Sequence, residues 1–303
     1  MQTISPKDTS EICAIITTYR PDDDFPSRVQ RVGCQVGLVV IVDDGESADN
    51  VARLQHWFSE TSSVILHHNV ANVGVAVSLN KGISIAKSTG YHWVLTLDDD
   101  TIVEPDMVKN LIQTWNLVAG QAGKPVAIMG MAHSGGYTGR VESCLTEGRL
   151  FVEKRGIITS GSLMPLDVYD AIGGFRDEFF IDSVDYDYCL RARARGFRVI
   201  EVCRVGMIHP LGNSIKRRIG CLTLETTNHS PGRRYYAYRN ATVLAREHFR
   251  RDPLYTLAVF VFQLRTVALV LLLEKDRRRK VKFVFCGLLD GWRNRLGKRI
   301  PNE

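Results

Sequence analysis

The sequence predicts an α/β fold: a doubly wound, mostly parallel sheet followed by a helical, basic C-terminal segment. Three observations carry that prediction. Apolar runs at 12–19, 38–42 and 93–97 alternate with helix-periodic stretches. Two of these runs end in acids, Asp43-Asp44 and Asp98-Asp99-Asp100, and ligands of open α/β sheets bind outside the carboxyl ends of strands. Charge also divides the 303 residues: positions 1–212 hold 19 Lys+Arg against 26 Asp+Glu, positions 213–303 hold 20 against 7. An acidic α/β body over 1–212 and a basic second segment over 213–303 are expected.

An apolar content of 45% and a charged content of 24% are those of a globular protein with a real core. The opening MQTISPKDTS lacks the apolar run of a signal peptide. The seven cysteines form no CxxC pair, which reads as thiols of a reducing compartment and points to the cytoplasm.

The first strand, ICAIITTY, is nearly all apolar, as a strand covered on both faces must be. It runs into Thr17, Thr18, Tyr19 and Arg20, and Pro21 stops it. A loop and helix lead to LVVIV at 38–42, closed by Asp43-Asp44-Gly45. An acid there takes a ribose hydroxyl or base edge in nucleotide folds; it equally suits a turn. A helix over 48–60 and a short strand over 64–67 follow. The turn Asn72-Val73-Gly74 opens a helix with Val75, Leu79, Ile83 and Ala86 on one face. Asn80 and Gly82 are poor formers inside it. Close approach to a ligand or to a neighbouring strand accounts for Gly82.

YHWVLTLDDDT at 91–101 drives a buried strand into three adjoining carboxylates. Two such charges about 5 Å apart repel by roughly 3 kcal/mol at an effective dielectric near 20. Water, a neighbouring cation or a bound metal must offset that. Beyond it the pattern predicts a helix at 106–117, a strand at 126–131, a Gly-rich loop at 133–150, a strand at 157–164 and a helix at 166–172.

A second acidic centre lies in FFIDSVDYDYCLRARARGF at 179–197. Asp182 suits a helix cap, and Asp185 the third helical position of a capping box. Asp187 and Arg191 can pair across one turn. Alternatively Asp185 projects from a helix start as a general base. A strand at 199–202 follows, and His209 stands just past another, as a structural histidine or an added ligand for a manganese- or magnesium-class ion.

HSPGRRYYAYRN at 229–240 reads as a basic helix face, or as arginines, Arg233 and Arg234 among them, forking onto a diphosphate. LYTLAVFVFQLRTVALVLLL at 254–273 holds thirteen Leu, Val or Phe residues. These favour insertion by roughly 4–8 kcal/mol, and the central Arg265 opposes it by about 3 kcal/mol. Basic residues flank both ends, so a helix packed on the body or lying in the interface fits better than a span.

Together ITTYRP, VDDG, NVGVAVSLNKG, LTLDDDT, SGSLM, GGFRDEFFIDSVDYDYCLR and the late His209 resemble the family 2 glycosyltransferases of the nucleotide-sugar-binding (GT-A) fold, over about 12–212. FFIDSVDYDYCLRAR and NHSPGRRYYAYRN narrow the resemblance to bacterial rhamnosyltransferases of O-antigen or rhamnolipid synthesis. The resemblance implies a donor pocket of Thr17, Thr18, Tyr19, Asp43, Asp44, Asn72, Gly74, Asn80, Asp98 and Asp99. It implies Mg²⁺ or Mn²⁺ held by Asp98 and Asp100, with His209 completing the site, and Asp185 as catalytic base. Many relatives carry Glu-Asp at the base position, where this chain has Val184-Asp185. Asp182 and Asp187 therefore stay as alternative bases. The implied partners are dTDP-L-rhamnose, or another nucleotide sugar such as a UDP-hexose, a glycan or lipid-linked acceptor, and an anionic membrane surface.

Two other classes fit less well. The D-x-D-x-T of haloacid-dehalogenase-type phosphatases sits on the first strand of the chain, whereas LDDDT lies nearly 100 residues in. A nucleic-acid binder rests on the basic tail alone, whose arginines interleave with aliphatic runs rather than an aromatic platform.

Overall fold

The structure, a computed structural model, describes residues 5–45, 47–121, 123–134, 148–209, 215–219 and 222–299. It divides into two compact units, Met1–Arg176 with Asp185–Pro210, and Asp177–Val184 with Leu211–Glu303. The segment 177–184 thus groups with the C-terminal residues rather than with the body. The reason is a set of hydrogen bonds: the Asn240 amide donates to the carbonyls of Phe179, Ile181 and Asp182, and Arg239 to those of Glu178 and Phe179.

In the first unit β1 (Ile12–Thr18), α1 (Phe25–Gly33), β2 (Leu38–Asp43), α2 (Ala48–Phe58), β3 (Val64–His68), α3 (Val75–Ser88) and β4 (Trp93–Asp98) follow in the predicted order. Strand β1 lies between β2 and β4, and β3 pairs outside β2, all parallel. Beyond β4 the sheet is mixed. After β5 (Ile102–Val103), α4 (Met107–Ala119), β6 (Val126–Ser134) and β7 (Phe151–Glu153), strand β8 (Ser162–Pro165) inserts antiparallel between β4 and β6. Helix α5 (Leu166–Ile172), helix α6 (Val184–Ala194) and the long β9 (Arg198–Ile208) complete the unit. Strand β9 runs parallel to β6 and antiparallel to β5 and β7.

Several elements differ from the sequence pattern. The strand expected over 157–164 begins only at Ser162, because Gly161 takes φ 74° and its N–H reaches the Thr96 carbonyl at 2.8 Å. The separate strands expected around 199–208 are one continuous β9. Most of the loop expected at 133–150 lies outside the described residues; its two ends belong to β6 and, just past it, β7. Cys13, Cys34, Cys189 and Cys286 are free thiols, but Cys203 is disulfide-bonded, which departs from reading every cysteine as a thiol.

The neighbouring strand explains Gly82. A Cβ there would come within 2.3 Å of Ile15 Cγ2 and 3.2 Å of Val42 Cγ2, so α3 lies directly on β1 and β2. On the other side of the sheet, Trp93 meets Trp115 of α4 edge to face, 4.8 Å between centroids.

The second unit holds the hairpin β10 (Ile215–Ile219) and β11 (Leu222–Thr226), then helices α7 (Pro231–His248), α8 (Pro253–Leu273) and α9 (Arg277–Trp292). Ser230 caps α7, accepting from Arg233 N, and Pro231 opens it. Gly287 and Gly291 let α9 approach α7: a Cβ at Gly287 would stand 2.4 Å from the Tyr235 carbonyl oxygen. Arg234 corrects the sequence reading. It is 4% exposed and gives its guanidinium to Glu274 at 2.6 Å, which also takes Lys280 at 2.6 Å. A charge so engaged is a buried structural pair, not a donor-facing arginine.

Candidate functional site

Strand register assembles the candidate site. Pairing of β1 with β4 sets Thr17 beside Asp98, and pairing with β2 sets Thr18 beside Asp43. All four therefore reach the carboxyl edge of the sheet together. After Asp98 the chain makes a tight turn and β5 pairs with the far end of β9, Ile102 against Ile208. His209, the next residue, is delivered against the triple-aspartate turn. His209 Nε2 lies 3.7 Å from Asp98 Oδ2 and Nδ1 lies 3.3 Å from Asp100 Oδ1. One ligand atom from each of Asp98, Asp100 and His209 falls within 4.8 Å of the others.

Two buried hydroxyls support this cluster. Ser160 Oγ accepts from Asp98 N at 3.1 Å and lies 2.7 Å from Thr101 Oγ1, which is 2.9 Å from His209 Nδ1. Thr101 is 4% and Ser160 1% exposed. From sequence, Ser160 in Ser160-Gly161-Ser162 reads as a hydroxyl offered to a ligand, whereas Thr101, which closes the LTLDDDT motif, has no role there.

The three aspartates have different surroundings. Asp98 and Asp100 keep partly exposed side chains, 39% and 46%. Asp100 Oδ1 is nevertheless buried and makes no hydrogen bond among the described residues, lying beside the His209 ring. Asp99 turns inward, where Thr18 Oγ1 donates to it at 2.7 Å and Tyr19 N at 3.2 Å. Burial pushes its carboxyl above the ordinary carboxylate range. Asp99 therefore ties the DDD turn to the end of β1 and holds Thr18 and Tyr19 in place.

Asp43 and Asp44 are engaged internally as well. Asp43 is fully buried and accepts from Gly45 N, the Asn50 amide and His68. Asp44 accepts from the Asn69 amide, Val73 N and Gly74 N, the last two at 2.8 Å. Its carboxylate thus shapes the loop holding Asn72 and Gly74, where Gly74 takes φ 93°. Asp43 is thus closed to solvent and engaged by three internal partners. The Asn80 amide clamps both backbone groups of Phe175 and accepts from the Tyr169 hydroxyl.

Of the three acids around α6, the surroundings favour one. Asp187 is fully buried between Arg191 at 2.7 Å and Arg176 at 3.2 Å, and Arg191 also donates to the Ile172 and Gly174 carbonyls. Asp182 does not cap the helix; it takes a left-handed φ of 63° and meets Arg233 Nε at 3.4 Å. Asp185 stands at the helix start, half-buried, with its Oδ1 accepting from Tyr186 N at 2.8 Å. The helix is anchored to the segment carrying Ser160 through Cys189 Sγ, which donates to the Ile157 carbonyl.

Comparisons with known proteins bear on the sequence and the fold. Residues 15–124 match the model of glycosyl transferase family 2. A dTDP-rhamnosyl transferase, RfbF of Shigella flexneri, is 26% identical over 95% of this chain and 97% of its own length. A glucosyl-dolichyl phosphate glucuronosyltransferase of Haloferax volcanii is 31% identical, over 35% of this chain and 34% of its own. Among solved structures, a mannosyltransferase of Pyrobaculum calidifontis in complex with GDP-Man and Mn²⁺ superposes with a TM-score of 0.58 at 12% identity, covering 96% of this chain and 89% of that one. TarS 1–349 of S. aureus gives 0.57 at 12% identity, covering 92% and 80%. Residues 15–124 thus match the family 2 glycosyl transferase model, and the chain has the GT-A fold and the likeness of a glycosyltransferase.

Proposed function

We propose that the chain is an inverting, metal-dependent rhamnosyltransferase that moves L-rhamnose from dTDP-L-rhamnose to a hydroxyl of a glycan or glycolipid acceptor. One observation carries the reading: Asp98, Asp100 and His209 converge at one strand edge, with a separate half-buried carboxylate, Asp185, in the same unit. Two carboxylates and an imidazole suit Mn²⁺ or Mg²⁺. The buried Asp100 oxygen that makes no hydrogen bond is the kind of acceptor a cation would satisfy. A bound cation supplies Lewis-acid neutralisation of the charge gathering on a departing nucleoside diphosphate.

The residues of the chain do the rest. Thr17, Thr18 and Tyr19 border the nucleotide, with Tyr19 48% exposed. Asp185 takes the proton of the acceptor hydroxyl, which is a poor nucleophile until it is lost. One base opposite one leaving group makes a single in-line displacement, so a β-linked donor yields an α-L-rhamnoside. The rhamnose assignment is supported by likeness to RfbF across nearly its whole length. The expected location is the cytoplasm, with the apolar α8 as contact to a membrane surface.

A thermal-shift screen of nucleotide sugars with Mn²⁺ or Mg²⁺ tests this. Stabilisation by dTDP-rhamnose above UDP-glucose and UDP-galactose is expected, and Asp100→Ala should remove its metal-dependent part. A preference for a UDP-hexose would replace the donor, and equal stabilisation without metal would overturn the cation's role.

A further inference from the structure

We infer that α8 lies flat in the interface of an anionic phospholipid bilayer, with one face of α9 beside it, and does not cross the membrane. The inference deepens the membrane contact proposed above and is independent of the donor sugar.

Helix α8 is long and apolar enough to span, about 31 Å at 1.5 Å per residue. Its two sides differ. Tyr255, Leu269 and Val270 are buried, while Leu257, Val261, Leu264, Ala268 and Leu271 are exposed. These five recur at four- and three-residue intervals, so they form one stripe along the helix. An exposed stripe of this length marks a surface that something covers.

What covers it follows from the inner side and the ends. On the inner side α8 is fastened to α7 at two places: Tyr238 OH donates to the Gln263 carbonyl at 2.8 Å, and Thr256 Oγ1 to the Ala245 carbonyl at 3.1 Å. A spanning α8 would carry α7 into hydrocarbon, with its Arg234, Arg239 and Arg246. Such charges are costly at the bilayer centre. Lying flat, α8 leaves α7 on the aqueous side.

Exposed bases stand at both ends of α8, Arg250 and Arg251 before it and Lys275, Arg277, Arg278 and Arg279 after it. They outnumber Glu247, Asp252 and Asp276 there. Bases at both ends suit a helix whose two ends meet the same layer of anionic headgroups. Exposed Arg265 flanks the stripe and can extend its guanidinium to that layer.

Helix α9 repeats the design. Arg278, Lys282, Phe285, Leu289 and Trp292 share one exposed face, basic where the helix begins and apolar where it ends. Trp292 is 67% exposed, and tryptophan favours the headgroup boundary.

The test uses the full chain and sucrose-loaded vesicles of phosphatidylcholine, with or without phosphatidylglycerol at about one lipid in three. Binding should be about tenfold or more stronger to the anionic vesicles and fall back in high salt. In a Trp292→Phe background, Leu257→Trp, Leu264→Trp and Leu271→Trp then report depth through lipids brominated near to or far from the headgroup. Equal, shallow quenching at all three is expected. Deep quenching at 264 with shallow quenching at 257 and 271 would mean a span and overturn the flat orientation, leaving membrane contact intact. No vesicle binding, with a concentration-dependent dimer that shields the three tryptophans from aqueous quencher, would mean a second copy covers the stripe and overturn both. None of these outcomes bears on donor binding, which is measured without lipid.

Discussion

The Thr101 hydroxyl stands 2.9 Å from His209 Nδ1, placing a buried hydrogen-bond partner behind the ring whose other nitrogen faces Asp98. Metal-binding histidines characteristically hold one ring nitrogen in such a bond, which fixes the tautomer and frees the other nitrogen. Thr101→Val should therefore weaken Mn²⁺ binding by about 10–100-fold, and Thr101→Ser should restore it. Titration followed by the electron paramagnetic resonance of free Mn²⁺ reads this without turnover. Equal affinity in the valine variant would remove Thr101 from the site.

Asp185 and Asp187 should separate cleanly. Asp187→Asn breaks a fully buried carboxylate from two arginines and is expected to cost about 3–5 kcal/mol, seen as a lower Tm. Asp185→Asn, at a half-buried helix start, should leave Tm within a degree or two and abolish transfer. Near-normal turnover by Asp185→Asn would move the base elsewhere.

Gly82→Ala tests how tightly α3 sits on the sheet. The added Cβ would meet Ile15 Cγ2 at 2.3 Å, so overpacking should cost about 1–3 kcal/mol despite the better helix propensity of alanine. Urea unfolding measures it, and a gain in stability would show that the helix can shift freely.

The C-terminal unit should lose stability in mild acid. Burial, with Arg233 and Arg234 close by, depresses the His229 imidazole to about 3. A histidine held neutral in the fold stabilises fully above its unfolded value of 6.5. That contribution is lost as pH falls from 6.5 toward about 3, at up to ~1.4 kcal/mol per pH unit. His229→Asn should flatten this slope in thermal melts between pH 7 and pH 4. An unchanged slope would assign the acid sensitivity to other groups.

Much of this was readable from the chain alone. Apolar runs that end in acids dictated the strands β1, β2 and β4, because only a strand covered on both faces tolerates so continuous a run. The same local pattern marked the Asp98–Asp100 cluster, while the roles expected of His209 and Asp185 were implied by the family resemblance. Which acids remain available to a ligand was decided in three dimensions. Asp43 and Asp187 look like Asp98 and Asp185 in sequence, and only the Asp187–Arg191 pairing across one turn was legible there; His68 and Arg176 reach the two acids from other elements and, with Asn50, engage them internally. Arg234 found Glu274 in the same way. Composition records how many charges a chain carries; tertiary packing alone determines which of them already have partners, since a partner's distance in sequence says nothing of its distance in space.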